Sequence, residues 1–365
     1  RPEAGPRMTK ICVFGAGAIG GYVGGRLALK GEADVSLVAR GAHLAAMRAN
    51  GLTLKQGGEA HVVYPTVTDD PKRLGPQDFI ILTLKAHAIT GVIDQLMPLI
   101  GQDTAILFAQ NGIPWWYFHG IGGPLEGTRL ESVDPGGVIW NRIGPERALG
   151  TVVWQAAEIE APGIIAHHYG DRMPIGEPSG ERTERVLRLS RLLTAAGIKS
   201  PVRTELRNEI WLKLWGNLSF NPVSVLTEGT LVDLASDPGT RRVIRAMMEE
   251  ARAVAEALGV SFAVDADERM NMAAKVGAHR TSMLQDVEAG KPVELDALLG
   301  VVRELGGLTG VPTPFTDALL GLARLQAQVL GPAQVSLSVK QPLDMKTFVQ
   351  RVRTLRQTLP TTEPV

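Results

Sequence analysis

The chain has 365 residues, 44% of them apolar and 21% charged; this exceeds one ordinary hydrophobic core and predicts a globular protein of two domains. Lys+Arg and Asp+Glu both number 38, so the formal net charge is +0 and no global positive field exists to hold nucleic acid or an anionic membrane. The one cysteine, Cys12, excludes an internal disulfide and a cysteine-built zinc site; with no uninterrupted apolar run near the roughly 18–20 residues of a membrane span, the expectation is a cytoplasmic protein without bound metal.

In chain order, residues 1–7 read as an extension ahead of Met8, a candidate natural start. Thr9 to Phe14 is a short apolar run that predicts a buried strand, followed by the segment Gly15–Gly20 and a helix of small residues ending near Lys30. Further strands are predicted at Asp34–Ala39, Phe79–Leu84 and Ala105–Ala109, with helical stretches between them, the alternation of parallel β-α-β units. From Asn111 to Gly150, many glycines and prolines with Trp115, Trp116 and Trp140 predict long loops and one or two short strands, serving as a lid over the pocket or as a subunit contact. Gly150–Ala157 and Gly163–Ile175 read as strands, and Glu184–Ala196 as an amphipathic helix stopped by Gly197. After about Leu206 the periodicity is helical, at Glu209–Leu218, Gly239–Leu258, Asp267–Glu288 and Leu295–Leu308. A short helix is predicted at Met345–Arg356 in an otherwise polar tail. The expected fold is an α/β Rossmann-like dinucleotide-binding domain at 8–205, then an all-helical C-terminal domain at 206–330 and a tail at 331–365. The active site is expected in the cleft between the two domains.

Gly15-Ala16-Gly17-Ala18-Ile19-Gly20 is a G-x-G-x-x-G placed after a strand and opening a helix. The first glycine allows the tight turn, the second lets backbone approach a pyrophosphate, and the third lets helix and strand pack closely. The helix N-terminus then offers free N–H groups to phosphates. At the end of the second strand an NAD enzyme usually carries an acid for the ribose hydroxyls, but this sequence reads Val38-Ala39-Arg40. A guanidinium there can fork onto a 2′-phosphate, so NADP (NADPH) is the expected cofactor, against a solvated loop arginine as the plain alternative. Lys85 and Asn111 follow the third and fourth strands, whose C-termini should face the same crevice; a lone lysine there is more often a plain surface residue, and Asn111 reads equally well as a turn asparagine.

The segment Trp211 to Asn221 carries Lys213, Asn217 and Asn221 at i, i+4 and i+8, one polar stripe bordered by Trp211, Leu214, Trp215, Leu218 and Phe220. A stripe of this kind on an apolar helix needs partners: a substrate, or other protein groups with the lysine reaching solvent. Hydride addition to a ketone builds negative charge on oxygen, which a desolvated lysine can stabilise and protonate. No Tyr-x-x-x-Lys surrounds Tyr22, Tyr64, Tyr117 or Tyr169, which argues against the short-chain dehydrogenase arrangement.

With these motifs in order, the sequence from about Lys10 to Ala327 resembles the ketopantoate reductase (2-dehydropantoate 2-reductase) family. The lysine–asparagine spacing alone is shared with β-hydroxyacid and 6-phosphogluconate dehydrogenases. Ser282-Met283-Leu284-Gln285-Asp286, followed by Glu294 twelve residues after the serine, is more specific. The resemblance implies that Lys213 is the general acid, that Glu294 assists it and binds a substrate hydroxyl, and that Ser282 holds the substrate carboxylate, with Asn111, Asn217 and Asn221 lining the pocket. It implies NADPH-dependent reduction of 2-dehydropantoate to pantoate, a step of pantothenate synthesis. The partner is then a small 2-keto acid, with no nucleic acid or membrane, and a homodimer is left open. Three departures stand out: the aromatic segment from Pro114 to Asn141, His279 in place of an asparagine, and Leu299 in place of another. A paralogous reductase of another 2-keto or β-hydroxy acid and a non-catalytic dinucleotide sensor are the competing readings.

Overall fold

Runs such as Ile11-Cys12-Val13-Phe14 and Phe79-Ile80-Ile81-Leu82 are apolar at every position, the mark of strands covered on both faces. The computed structural model, which describes residues 7–338, puts them at the centre of a seven-stranded sheet. The first part of the chain runs β1 (Thr9–Phe14), α1 (Ala18–Lys30), β2 (Ala33–Val38), α2 (Gly41–Asn50), β3 (Leu52–Gln56), β4 (Glu59–Val63), β5 (Thr66–Thr68), β6 (Gln77–Leu82), α3 (Ile93–Leu96) and β7 (Ile100–Phe108). It continues with α4 (Val138–Arg142), β8 (Ala148–Thr151), β9 (Ala156–Ala161), β10 (Ile164–Tyr169), β11 (Ile175–Gly176) and α5 (Glu184–Ala195). The large sheet has the order β11-β8-β7-β6-β1-β2-β5 and is parallel except for β11. Because the chain steps from β1 to β2 and later returns to β6 on the other side of β1, the strand order reverses there. The crevice above the carboxyl ends of β1 and β6 is where such sheets hold a ligand.

A second sheet, β4-β3-β10-β9, corrects the expectation of purely helical stretches between residues 39 and 79: α2 and a short 3-10 turn at Pro71–Arg73 are helical there, but residues 52–68 supply three strands. The Gly57-Gly58 turn, with both residues at positive φ, closes the β3–β4 hairpin. Helix α1 lies between the two sheets, and its small residues make that possible. A Cβ on Gly24 would stand 2.4 Å from Leu37 of the large sheet, and one on Gly25 would stand 2.7 Å from Leu54 of the small sheet.

From Leu206 onward every described element is helical: α6 (Leu206–Thr227), α7 (Leu231–Ser236), α8 (Pro238–Ala257), α9 (Ala266–Val276), α10 (Ser282–Glu288), α11 (Val301–Thr309) and α12 (Pro314–Ser338), with a π-helical turn at Asp296–Gly300 leading into α11. The single helix expected over Asp267–Glu288 is two helices. Gly277 at φ 85 ends α9, and the Thr281 hydroxyl caps α10 by accepting from the Leu284 N–H. Helix α6 runs past its expected end at Leu218, and α12 continues to Ser338, past the expected boundary at 330. The expected helix at Met345–Arg356 lies outside the described residues, as do residues 1–6.

The segment from Ile113 to Phe118 is neither lid nor exposed contact in its aromatic part. Trp115, Trp116, Tyr117 and Phe118 are all buried, in one core cluster with Phe108 of β7 and with Trp211, Leu214 and Trp215 of α6. Arg207 at the start of α6 donates to the carbonyls of Tyr117, His119 and Pro178 and lies 5.3 Å over the Tyr117 ring. A continuous apolar core therefore joins α6 to the end of the sheet that carries the crevice.

Candidate active site

At the carboxyl end of β1 the chain turns at Gly15, whose φ of 98 is open to glycine at little cost. The N–H groups of Gly15 and Ala16 donate to the Val38 carbonyl at 3.1 and 2.9 Å, and Thr83 Oγ1 donates to the Gly15 carbonyl at 2.6 Å, so β2 and β6 clamp the turn from both sides. A Cβ on Gly20 would stand 2.4 Å from the Gly15 carbonyl oxygen and 2.5 Å from Thr83 Oγ1; the third glycine of the motif is required by packing. Gly17 caps α1 without a side-chain hydrogen bond, and the first turn, with Ala18 and Ile19, holds no acid. An uncapped helix end of this kind has N–H groups and a positive dipole available to an anion, and it fits the pyrophosphate of a dinucleotide.

Arg40 stands at the N-cap of α2, directly after β2, exposed and with no side-chain capping bond. Its place beside the glycine turn fits a 2′-phosphate, and no carboxylate occupies the strand end. Asn111 follows β7 and is half-buried. The next residue, Gly112, packs so tightly on the helical half that a Cβ would stand 2.0 Å from the Ala297 carbonyl oxygen, and the Ile113 N–H donates to that carbonyl at 3.3 Å. Gln110 ties the ends of the central strands together by donating to the Leu82 and Leu84 carbonyls.

Lys213 projects from α6 back toward this edge. Its ammonium donates to the Val153 carbonyl and lies 5.8 Å from the centre of the Trp154 ring, both in the connection from β8 to β9. Desolvation pulls its pKa down to about 8, opposed by the negative charge of Glu294. Trp211 and Trp215, fully buried on the opposite side of α6, fix the rotation of the helix, through bonds from Trp211 Nε1 to the Tyr117 hydroxyl and from Trp215 Nε1 to the Met248 carbonyl. Asn217 is half-buried and Asn221 buried along the same stripe. Ser224, three turns on from Lys213, shares a hydrogen bond with Thr281, so the far end of the stripe faces the start of α10.

Glu294 accepts from the Ala86 N–H at 3.3 Å, directly after Lys85. Desolvation raises its carboxyl above the ordinary range, against lowering by Lys85, by the Ala86 N–H and by Lys213. Lys85 reaches across as well, to Asp286 at 2.7 Å and to the Pro292 carbonyl at 2.9 Å. Ser282 is the first residue of α10 and is exposed; it lies one turn before Asp286 and so on the same side of the helix. The structure thus brings Lys85, Lys213 and Glu294 to one region, with Asn111 beside the neighbouring contact at Ala297. Arg40 stands two residues past Val38, whose carbonyl accepts from the Gly15 and Ala16 N–H groups. Val153 and Trp154 escaped the sequence reading, because they sit in a stretch that reads only as strand; Asp286 was read as part of the Ser282–Asp286 motif but given no role.

Among the described residues no cluster of three or more His, Cys, Asp or Glu side chains could hold a metal, and no helix is long and apolar enough to cross a membrane.

Comparison with known proteins agrees with this geometry. Residues 11–117 match the family described as Ketopantoate reductase PanE/ApbA, and residues 205–327 match its C-terminal counterpart. A 2-dehydropantoate 2-reductase of Mesorhizobium japonicum is 55% identical, covering 86% of this chain and 97% of that protein. A crystal structure from Ralstonia solanacearum, described as a candidate ketopantoate reductase, superposes with a TM-score of 0.84 at 42% identity over 88% of this chain and 99% of that one. The 2-dehydropantoate 2-reductase of Geobacter metallireducens gives 0.75 at 25% identity, over 87% and 99%.

Proposed function

The chain belongs to the ketopantoate reductase family, and on that premise we propose that it reduces 2-dehydropantoate to pantoate with NADPH. The observation that carries the reading is a lysine of the helical half, desolvated to a pKa of about 8, lodged against the Val153 carbonyl at the edge of the dinucleotide fold. The glycine turn Gly15–Gly20 receives the pyrophosphate and Arg40 the 2′-phosphate, while Lys85 and Asn111 border the same crevice. NADPH, when bound, supplies the hydride. Lys213 holds the proton destined for the keto oxygen, and its charge opposes the negative charge that grows there. Glu294, close enough for its charge to act on Lys213, keeps the ammonium from being lost to desolvation and offers an acceptor to a substrate hydroxyl. Asn217, Asn221 and Ser282 orient the carboxylate and hydroxyl without adding charge. The test is a panel of 2-keto and β-hydroxy acids with NADPH consumption followed by absorbance. Ketopantoate should give the highest kcat/KM. A better alternative acid would point to the paralogue reading, and NADPH binding without any turnover would point to the sensor.

Two expectations follow from named groups. Arg40→Ala should raise the KM for NADPH by about 10–100-fold, the worth of a charge-assisted pair, and leave that for NADH within about threefold. Steady-state kinetics with both cofactors decides it; equal losses would remove Arg40 from 2′-phosphate recognition. Keto acid reduction should fall as pH rises through about 8, because the proton donor is the Lys213 ammonium. Oxidation of pantoate should rise over the same interval, because it needs the neutral amine as base. Profiles of the same sign in both directions would show that another group titrates.

A further inference from the structure

We propose that Asp286 is a positioning residue: through Lys85 it draws the end of β6 onto α10, and so sets Glu294 and Ser282 at the right distance from the dinucleotide crevice for the keto acid. The proposal rests on the reductase reading above. Three contacts cross between residues 85–86 and 286–294. The Lys85 ammonium donates to Asp286 Oδ2 at 2.7 Å and to the Pro292 carbonyl at 2.9 Å, and the Ala86 N–H donates to Glu294 Oε1 at 3.3 Å. The first is the strongest: it is charged on both sides, short, and only partly open to water, with the two side chains 30% and 22% exposed. The pair joins positions 201 residues apart, one at the carboxyl end of a central strand and one on a seven-residue helix. A helix that short has little stability of its own, so its placement depends on what holds it.

The placement matters because α10 carries Ser282 on the same side as Asp286, one turn earlier, and because the chain runs from Asp286 through Pro292 to Glu294 within eight residues. If Asp286 becomes neutral, Lys85 keeps only a carbonyl, and the weaker Ala86–Glu294 bond is left to hold Ser282 and Glu294 in register with the cofactor edge. Among the described residues no hydrogen bond or ion pair joins Arg40 or the glycine turn to α10, so the loss should fall on the keto acid step and spare NADPH binding.

The experiment is a double-mutant cycle on the whole chain with Asp286→Asn, Lys85→Gln and the pair of them. KM and kcat are measured for ketopantoate, and Kd for NADPH by fluorescence titration. Asp286→Asn should raise the KM for the keto acid about tenfold, with the NADPH Kd inside about twofold; in the Lys85→Gln background the same change should cost less than about twofold. Asp286→Ser replaces the asparagine variant if that one does not fold. Additive losses, or a loss confined to NADPH affinity, overturn the proposal while leaving the reductase reading intact. A parent protein that consumes no NADPH with any keto acid overturns both.

Discussion

Lys213→Ala is expected to lower kcat for keto acid reduction by about 10³-fold, the range of a positioned general acid, with the NADPH Kd within about threefold of the parent. The reason is local. A hydride arriving at the keto carbon leaves a full negative charge on oxygen, and water is a poor substitute for an ammonium already desolvated and held by the Val153 carbonyl and the Trp154 ring. The helix itself should survive the change, since α6 is anchored by Trp211 and Trp215 on its other side. Removing a half-buried ammonium whose charged form is disfavoured by desolvation should not lower stability. Lys213→Arg separates the two parts of the role. A guanidinium keeps the charge but gives up its proton only above pH 12 or so, so this variant should bind substrate and remain slow. Parent-like kcat in the arginine variant would mean that charge alone suffices and that the proton comes from elsewhere.

What the sequence discloses and what it conceals follow from the range of each interaction. The Gly15–Gly20 turn is legible because every requirement on it is met within a few residues, down to the uncapped start of α1. The Lys213-Asn217-Asn221 stripe is legible because helical geometry alone aligns it. The β3–β4 hairpin carried a local sign too, two glycines between two runs of alternating character, but helix periodicity over the short segment competes with it. The break between α9 and α10 was marked only by Gly277 and a threonine cap, weak beside an apolar period that continues across them. Lys213 meets Val153 from 60 residues away, and Lys85 meets Asp286 from 201; no spacing in the chain announces either. The aromatic segment after Pro114 misleads for a related reason. Glycines and prolines describe its backbone correctly as loop, yet they say nothing of where the rings go.

Those rings underlie the second large effect, in stability. Trp211→Ala should destabilise the fold by about 4 kcal/mol, the usual cost of emptying a large aromatic site in a core. Trp211 is 0% exposed and sits in the cluster that unites Phe108, Trp116 and Tyr117 with α6, so the cavity opens between the sheet and α6. The indole N–H also donates to the Tyr117 hydroxyl at 2.8 Å, in a place that water does not reach. Burial already raises the Tyr117 pKa, and without its partner the phenol is a desolvated group with one bond fewer. Trp211→Phe divides the two contributions. It keeps most of the apolar contact and loses the hydrogen bond, so it should cost about 1–2 kcal/mol. Chemical denaturation followed by circular dichroism measures both. Because the damage lies under α6, the alanine variant should also raise the KM for the keto acid at temperatures where it is still folded, by loosening the rotation that aims Lys213. Equal stability of the alanine and phenylalanine variants would show that the site collapses around the smaller residue and that the aromatic segment does not brace the helix.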